Sequence, residues 1–168
     1  MSNLLALLQT GFERPPLQQT LIATLGASIG IGLIAFLSNV SGNALLMAPL
    51  GATAVLVFGL PQSPLSQLRH VVGGHALSMI VGLVCFFILG NGVVAVGIAS
   101  GLALGLMLAT RTVHPPAGAD PLLLMLTATS MAEAGYQIAL PGVVGAILLY
   151  MVAVSTHRVT DWAKRASF

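Results

Sequence analysis

The sequence predicts an all-α polytopic membrane protein of six hydrophobic helical segments arranged as two inverted repeats, each a helix, a broken short helix and a helix. Three observations carry this. Of 168 residues, 57% are apolar and only 6% charged, against about 25% charged in soluble domains, and the mean hydropathy is +0.99. The stretches Pro15 to Leu68, His70 to Thr110 and Ala134 to His157 contain no Asp, Glu, Lys or Arg. Each exceeds the roughly 20 apolar residues that span a bilayer. Finally, related Pro/Gly-broken strings occur in both halves of the chain. A water-soluble enzyme is excluded, and the scattered basic residues make no nucleic-acid footprint. Cys85 is the single cysteine, so there is no intrachain disulfide and no CxxC metal pair. Met1 to Gln9 lacks the basic n-region of a removable signal peptide.

Cutting at charges and at Pro/Gly/Asn clusters gives Leu17 to Ser38, Ala44 to Leu60, His70 to Leu89, Gly92 to Thr110, Pro116 to Ala132 and Ile138 to His157. The connectors are short, so residues 1–168 form one membrane domain. The second and fifth segments span about 25 Å as helix, short of a hydrocarbon core of about 30 Å. They also resemble each other: Pro49-Leu50-Gly51-Ala52-Thr53 aligns with Pro116-Ala117-Gly118-Ala119-Asp120. Gly26-Ala27-Ser28 in the first segment answers Ile98-Ala99-Ser100 in the fourth, and Gly74 and Ser78 answer Gly142 and Ala146. The repeats are therefore 17–89 and 92–157. With six crossings Arg14, Arg69, Arg111, Arg158, Lys164 and Arg165 share one side, which the positive-inside rule makes cytoplasmic, with both termini. An odd number of crossings per half inverts the repeats and directs the broken segments to a midplane site.

The string Arg111-Thr112-Val113-His114-Pro115-Pro116-Ala117-Gly118-Ala119, with Leu50-Gly51-Ala52-Thr53-Ala54-Val55-Leu56-Val57-Phe58, Ser63-Pro64-Leu65-Ser66-Gln67 and Gly73-Gly74-His75 before it, resembles the HPP family of integral membrane proteins over residues 17–157. Plastid and cyanobacterial members are associated with nitrite transport, so the resemblance implies a small inorganic anion as substrate and a bacterial inner membrane or plastid envelope as location. The usual Ala-Gly-Ala-Thr continuation reads Ala-Gly-Ala-Asp here, and the added charge of Asp120 weighs against strict nitrite selectivity.

The residues themselves allow an anion site. Prolines 115, 116 and 121 bias His114 to Ala119 away from helix, with Asp120 then expected as N-cap and Pro121 at N1. Pro49 to Ala52 is the equivalent bend, with Thr53 as N-cap. Two half-helix N-termini approaching the midplane would offer free N–H groups and partial positive charge. The expected substrate-binding residues are Pro49, Gly51, Thr53, His75, Arg111, His114, Pro115, Pro116, Gly118 and Asp120. Arg111 is expected near His114 and Asp120 at the inner mouth, and His75 as an intramembrane histidine is a functional candidate. His70 and His75 do not share the i, i+4 spacing of a metal pair, and neither metal nor cofactor is expected.

Gly97, Gly101 and Gly105 form a ridge on the fourth segment, as Gly26 and Gly30 do on the first, suited to close helix packing and to homo-oligomerisation. Glu133 is expected to be solvated in the outer loop, Trp162 with Lys164 and Arg165 to anchor the C-terminus, and Leu4 to Leu8 to lie along the membrane surface. A channel for protons, cations or neutral solutes is the alternative. An intramembrane hydrolase built on Gly26-Ala27-Ser28-Ile29-Gly30 is disfavoured, because GxSxG needs a strained strand-to-helix turn.

Overall fold

A computed structural model describes residues 14–166, and it is helical throughout its regular elements. The long helices are α1 (Leu17–Ser41), α3 (Leu68–Leu89), α4 (Val93–Thr110) and α6 (Leu140–Ala166), the last continuing a π-helical stretch, Glu133–Ala139. Between them lie two broken segments. The first is α2 (Ala48–Ala54), running on as a π-helical turn over Val55–Gly59; the second is a 3₁₀ turn, Pro115–Ala119, leading into α5 (Asp120–Thr127). Leu17–Ser41, Leu68–Leu89, Val93–Thr110 and Glu133–Val159 are long and apolar enough to cross a membrane. The helix Ala48–Gly59 is about 18 Å long and is not.

Side-chain contacts fix the direction of each pass. Broken segment one starts beside the C-terminal end of α1, where the Ser38 hydroxyl donates to the Asn43 carbonyl at 2.6 Å, and descends until Phe58 packs against Gly26 and Gly30. A Cβ on Gly26 would lie 2.8 Å from the Phe58 ring, so the first glycine ridge is a slot for that ring. Helix α3 then climbs and α4 returns, ending where Arg69 Nη2 donates to the Thr110 carbonyl at 2.7 Å. Broken segment two climbs along α3, with Thr112 against Gly73 and Pro121 against Gly82. Helix α6 descends from Met47, which touches Gly142, to Thr156 beside Gly26. The chain thus passes six times through the bundle, and Arg14, Arg69, Arg111 and Arg158 gather at one end.

Helix α3 is the hub. Its buried residues Val71, Gly74, His75, Ser78, Met79, Gly82 and Cys85 recur at three- and four-residue steps on one face, against α4, α5 and α6. The facing side of α4 is Ala95, Ala99, Ala103 and Met107, all buried, and the small side chains admit a close approach. Here the structure departs from the expected packing role of the second glycine ridge. Gly97, Gly101 and Gly105 are exposed, and a Cβ on any of them would meet nothing within 4 Å.

Both expected N-caps are corrected. Helix α2 begins at Ala48 with Met47 as its cap, placing Thr53 in the last turn of α2 rather than at its start. Helix α5 is capped by Ala119 without a side-chain bond, and Asp120 is its first residue. Pro121, expected at N1, stands at N2, and Pro49, expected in a bend ahead of the helix, is the second residue of α2. The segment Pro115–Ala119, expected to be extended or turned, is a 3₁₀ turn behind an extended His114. Glu133, rather than sitting free in a loop, accepts from the Thr129 N–H at 2.7 Å and hydroxyl at 2.6 Å, closing the turn before the last helix. Leu4 to Leu8 lie outside the described residues, as do the side chains of Trp162, Lys164 and Arg165.

Candidate functional site

The two broken segments do not meet end to end. They run antiparallel and cross side by side, and what lies at the crossing is a set of side chains: Thr53, His75, His114 and Asp120, each with no exposed surface. Burying so many polar groups costs several kcal/mol unless each finds a partner, and four close contacts supply partners. Asp120 Oδ2 is 2.7 Å from His75 Nδ1. His75 Nε2 is 2.9 Å from Thr53 Oγ1, and that same oxygen is 3.0 Å from His114 Nε2. His114 Nδ1 is 2.9 Å from the Leu65 carbonyl. The two imidazoles meet edge to face, with ring centroids 5.2 Å apart. Asp120 Oδ1 is buried with no partner among the described residues.

Local sequence explains the assembly. Gly73 and Gly74 remove the side chains that would hold the extended stretch before the 3₁₀ turn away from α3. A Cβ on Gly74 would fall 2.7 Å from His114 Cβ and 3.0 Å from the Thr112 carbonyl. Ser78, one turn beyond His75, donates to the Ala117 carbonyl at 2.6 Å, and the His70 ring bonds the Val113 carbonyl at 2.8 Å. The start of α3 and the loop before it therefore clamp the His-Pro-Pro strand at Thr110, Val113, His114 and Ala117. On the other side Thr53 Oγ1 also lies 3.2 Å from the Pro49 carbonyl; back-bonding of this kind loosens a helix, and α2 widens to π-helix two residues later. The end of that turn is tied down by side chains: the Ser66 hydroxyl lies 2.8 Å from the Leu60 carbonyl and 3.0 Å from that of Leu56, and His157 Nε2 lies 2.9 Å from the Val57 carbonyl.

Of the expected site residues, Thr53, His75, His114 and Asp120 come together. Pro49, Pro115 and Pro116 line an open apolar groove of about 770 Å³ on the outer side of the crossing, with Ala48, Ala52, Val55 and Leu123. Gly51 and Gly118 flank it without close contacts to their missing Cβ positions. Arg111 is not brought in. Its φ of 56° and the bonds Arg111 N–H to Leu108 and Thr112 N–H to Met107 make a Schellman turn at the end of α4, which leaves the side chain exposed; the partner of Asp120 is His75. The expected backbone anion site is also short of donors. Pro49, Pro115, Pro116 and Pro121 have no N–H, and the N–H groups of Leu50 and Ala117 are bonded to Met47 and His114. Sequence reasoning missed Leu65, whose carbonyl ends the polar chain, and the part Ser78 plays; the Ser-Pro-Leu-Ser-Gln string was the available signal. No group of three or more His, Cys, Asp or Glu suited to a metal ion occurs among the described residues.

Comparisons with known proteins agree with this architecture. A family model described as HPP, transmembrane region, matches residues 12–166. Two Dictyostelium discoideum proteins, each named only as a transmembrane protein, are 34% and 32% identical over 127 residues, 73% of this chain. That stretch is 44% of the first relative and 40% of the second, so the chain spans less than half the length of the curated relatives it matches. No solved structure matches. An apolar helical bundle with the His-Pro-Pro strand clamped at its centre, matched from end to end by the family model, is an integral membrane protein, and the chain belongs to the HPP transmembrane family.

Proposed function

We propose that the chain moves a small inorganic anion across the membrane, with nitrite as the reference substrate, through the crossing of the two broken segments. The single observation that carries this reading is the buried Thr53, His75, His114 and Asp120 cluster where both short helices are interrupted. Ionisable groups at membrane depth are costly to place and mark substrate or proton paths, and broken helices at the midplane are where transporters bind their cargo. The recognising chemistry is imidazole N–H and hydroxyl rather than the free helix N-termini that the sequence suggested. The carboxylate beside His75 favours an anion that arrives with a proton over a bare one. A hydrolase finds no support, since Ser28 lies exposed in a regular helix and the Ser100 hydroxyl is bonded to the Val96 carbonyl at 2.9 Å.

On this reading the protein is neither enzyme nor metal carrier. It lies in a bacterial inner membrane or plastid envelope with its basic end in the cytoplasm or stroma, and pairs with further copies through the outward Gly97, Gly101 and Gly105 ridge. The test is flux in proteoliposomes, measuring nitrite and sodium on the same preparation. Nitrite uptake above protein-free vesicles, lost in His75→Gln and His114→Gln proteins that still run as the native species, supports the proposal. Sodium flux exceeding nitrite flux, or histidine variants with unchanged nitrite flux, refutes it.

A further inference from the structure

Counting protons along the buried chain shows that it is one short if its members take their simplest forms. The Leu65 carbonyl only accepts, so His114 Nδ1 must carry a hydrogen. An ionised Asp120 only accepts, so His75 Nδ1 must carry one as well. Two neutral imidazoles of that tautomer each present a bare Nε2 to Thr53 Oγ1, at 2.9 and 3.0 Å. The hydroxyl has one hydrogen and can satisfy only one of them, while the Pro49 carbonyl, 3.2 Å away, competes for it. One added proton resolves every link. It sits on Asp120 or on His75, and in either form His75 Nε2–H donates to Thr53, Thr53 O–H donates to His114 Nε2, and His114 Nδ1–H donates to Leu65.

We propose that Asp120, His75, Thr53 and His114 form a proton relay that holds one exchangeable proton and that this proton crosses with the anion, so that transport is electroneutral. The coupling rests on the anion reading; the proton count does not. The transfer balances. Asp120 passes its proton to His75 Nδ1, His75 passes the Nε2 proton to Thr53, Thr53 passes its own to His114 Nε2, and His114 releases the Nδ1 proton. One proton enters at Asp120 and one leaves at His114. What remains is a carboxylate, two neutral imidazoles of opposite tautomer and a hydroxyl. In that unloaded state His114 Nδ1 is bare and faces a carbonyl that cannot donate to it. The His114 to Leu65 link is therefore broken by unloading, which ties proton release to movement of the His-Pro-Pro strand against the Pro61 to Gln67 loop. The entry end is marked independently by Asp120 Oδ1, buried and unpartnered among the described residues, which leaves one acceptor of the carboxylate open for the incoming proton. The titratable groups packed against His75 are Asp120 from α5 and His114 from the strand before the 3₁₀ turn, with His70 lower on α3 itself; among the described residues no arginine or lysine reaches the cluster.

Two measurements test this. In phosphatidylcholine/phosphatidylglycerol proteoliposomes with sodium nitrite as cargo and a pH-sensitive dye inside, one-to-one coupling requires a tenfold nitrite gradient to be nulled by an opposing pH difference of about one unit, at any membrane potential. Thr53→Val should cut coupled flux by at least about tenfold and Thr53→Ser should restore it, since a relay through a hydroxyl is a proton-transfer step. A null point that follows the potential, with no proton movement, overturns the coupling and leaves the anion pathway standing. Proton movement without nitrite flux overturns the anion reading and the coupling with it. The proton count is read separately by ¹⁵N resonance of histidine-labelled wild type. Either a doubly protonated His75 or an Nε2–H His75 opposite an Nδ1–H His114 supports the relay, whereas two neutral Nδ1–H rings overturn it.

Discussion

Replacing Asp120 by Asn separates the pairing seen in the structure from a helix-cap role. As an N-cap, Asn is about as good as Asp, so a cap predicts a change of no more than a few tenths of a kcal/mol. As the partner of His75 the carboxylate makes a buried bond of 2.7 Å. Hydrogen bonds to charged groups contribute about 1.5–3 kcal/mol against about 1 for neutral ones, so the exchange loses about 1 kcal/mol there. The amide N–H can donate to His75 Nδ1 as a protonated carboxyl would, which leaves His75 Nε2–H for Thr53, so the chain keeps its donors and no further cost follows. Asp120→Asn should therefore destabilise by about 1 kcal/mol, and Asp120→Ala by about 3–5 kcal/mol because it strips a buried partner outright. The assay is SDS-titrated unfolding in lipid–detergent micelles, run as a double-mutant cycle with His75→Gln. Groups in one network show interaction energies within about 0.5–3 kcal/mol, and the short distance places this pair in the upper half of that range. An Asn variant within about 0.5 kcal/mol of wild type, additive with His75→Gln, would falsify the pairing.

The two glycine sets give opposite expectations. Gly74→Ala drives a methyl into His114 Cβ at 2.7 Å and should cost about 1–3 kcal/mol of stability in the same unfolding assay, whereas Gly101→Ala meets nothing within 4 Å in the single chain. It should leave the monomer unchanged or up to about 1 kcal/mol more stable from helix propensity. If the outward ridge joins copies, crosslinking of Gly101→Ala drops; crosslinking equal to wild type rules the ridge out as the contact. Topology follows from the six passes: in a Cys85→Ala background, cysteines at Gln67 and Arg111 should react with a membrane-impermeant maleimide from one side and cysteines at Gly42 and Asn91 from the other. Labelling of Gln67 and Asn91 from the same side contradicts the alternation. Phe58→Ala empties the slot between Gly26 and Gly30 and should cost about 3–5 kcal/mol; a loss below about 1 kcal/mol means the ring does not hold broken segment one in place.

What the sequence made legible was the chemistry and its approximate place. Thr53, His75, His114 and Asp120 stand out because polar and ionisable side chains are conspicuous in an apolar chain, and all four converge. The pairing did not read out. Arg111 is near Asp120 in sequence, but the Schellman turn at the end of α4 points the chain away, and His75 reaches Asp120 only because α3 runs alongside the broken segment. The caps were misplaced because both helices start earlier than expected, α2 at Ala48 so that it takes in the Pro49 bend and α5 at Asp120 with Pro121 at N2 rather than N1, which puts each polar residue inside its helix and turns it inward. The two glycine ridges look alike in sequence, yet one holds Phe58 and the other faces outward. A helix that is apolar all round carries no periodic signal of which side is buried.

The matched positions of the halves show where the buried cluster is asymmetric. In the second half of the bundle α6 cradles the start of broken segment one, with Gly142 against Met47 and Gly145 against the Leu45 carbonyl; in the first, α3 cradles the start of broken segment two, with Gly74 against His114. Gly74 corresponds to Gly142 and Thr53 to Asp120, so an inverted duplication accounts for both contacts as the same packing used twice. The side chains at these equivalent places have diverged. His114 occupies the place that Met47 takes in the other contact, and Ser78, which bonds the Ala117 carbonyl, is answered by Ala146. One contact is polar and titratable, the other apolar and close-packed. An equal pair of ionisable contacts would bury two sets of groups needing protons, each with its own desolvation cost. Concentrating them on one side leaves Thr53 and Asp120, the equivalent residues of the two broken segments, on opposite nitrogens of a single imidazole. A movement of one broken segment past the other must then break or remake a bond to His75. On the proposed reading, that is the physical requirement for linking a proton to a change of access, and it would arise from the asymmetry rather than from the repeat itself.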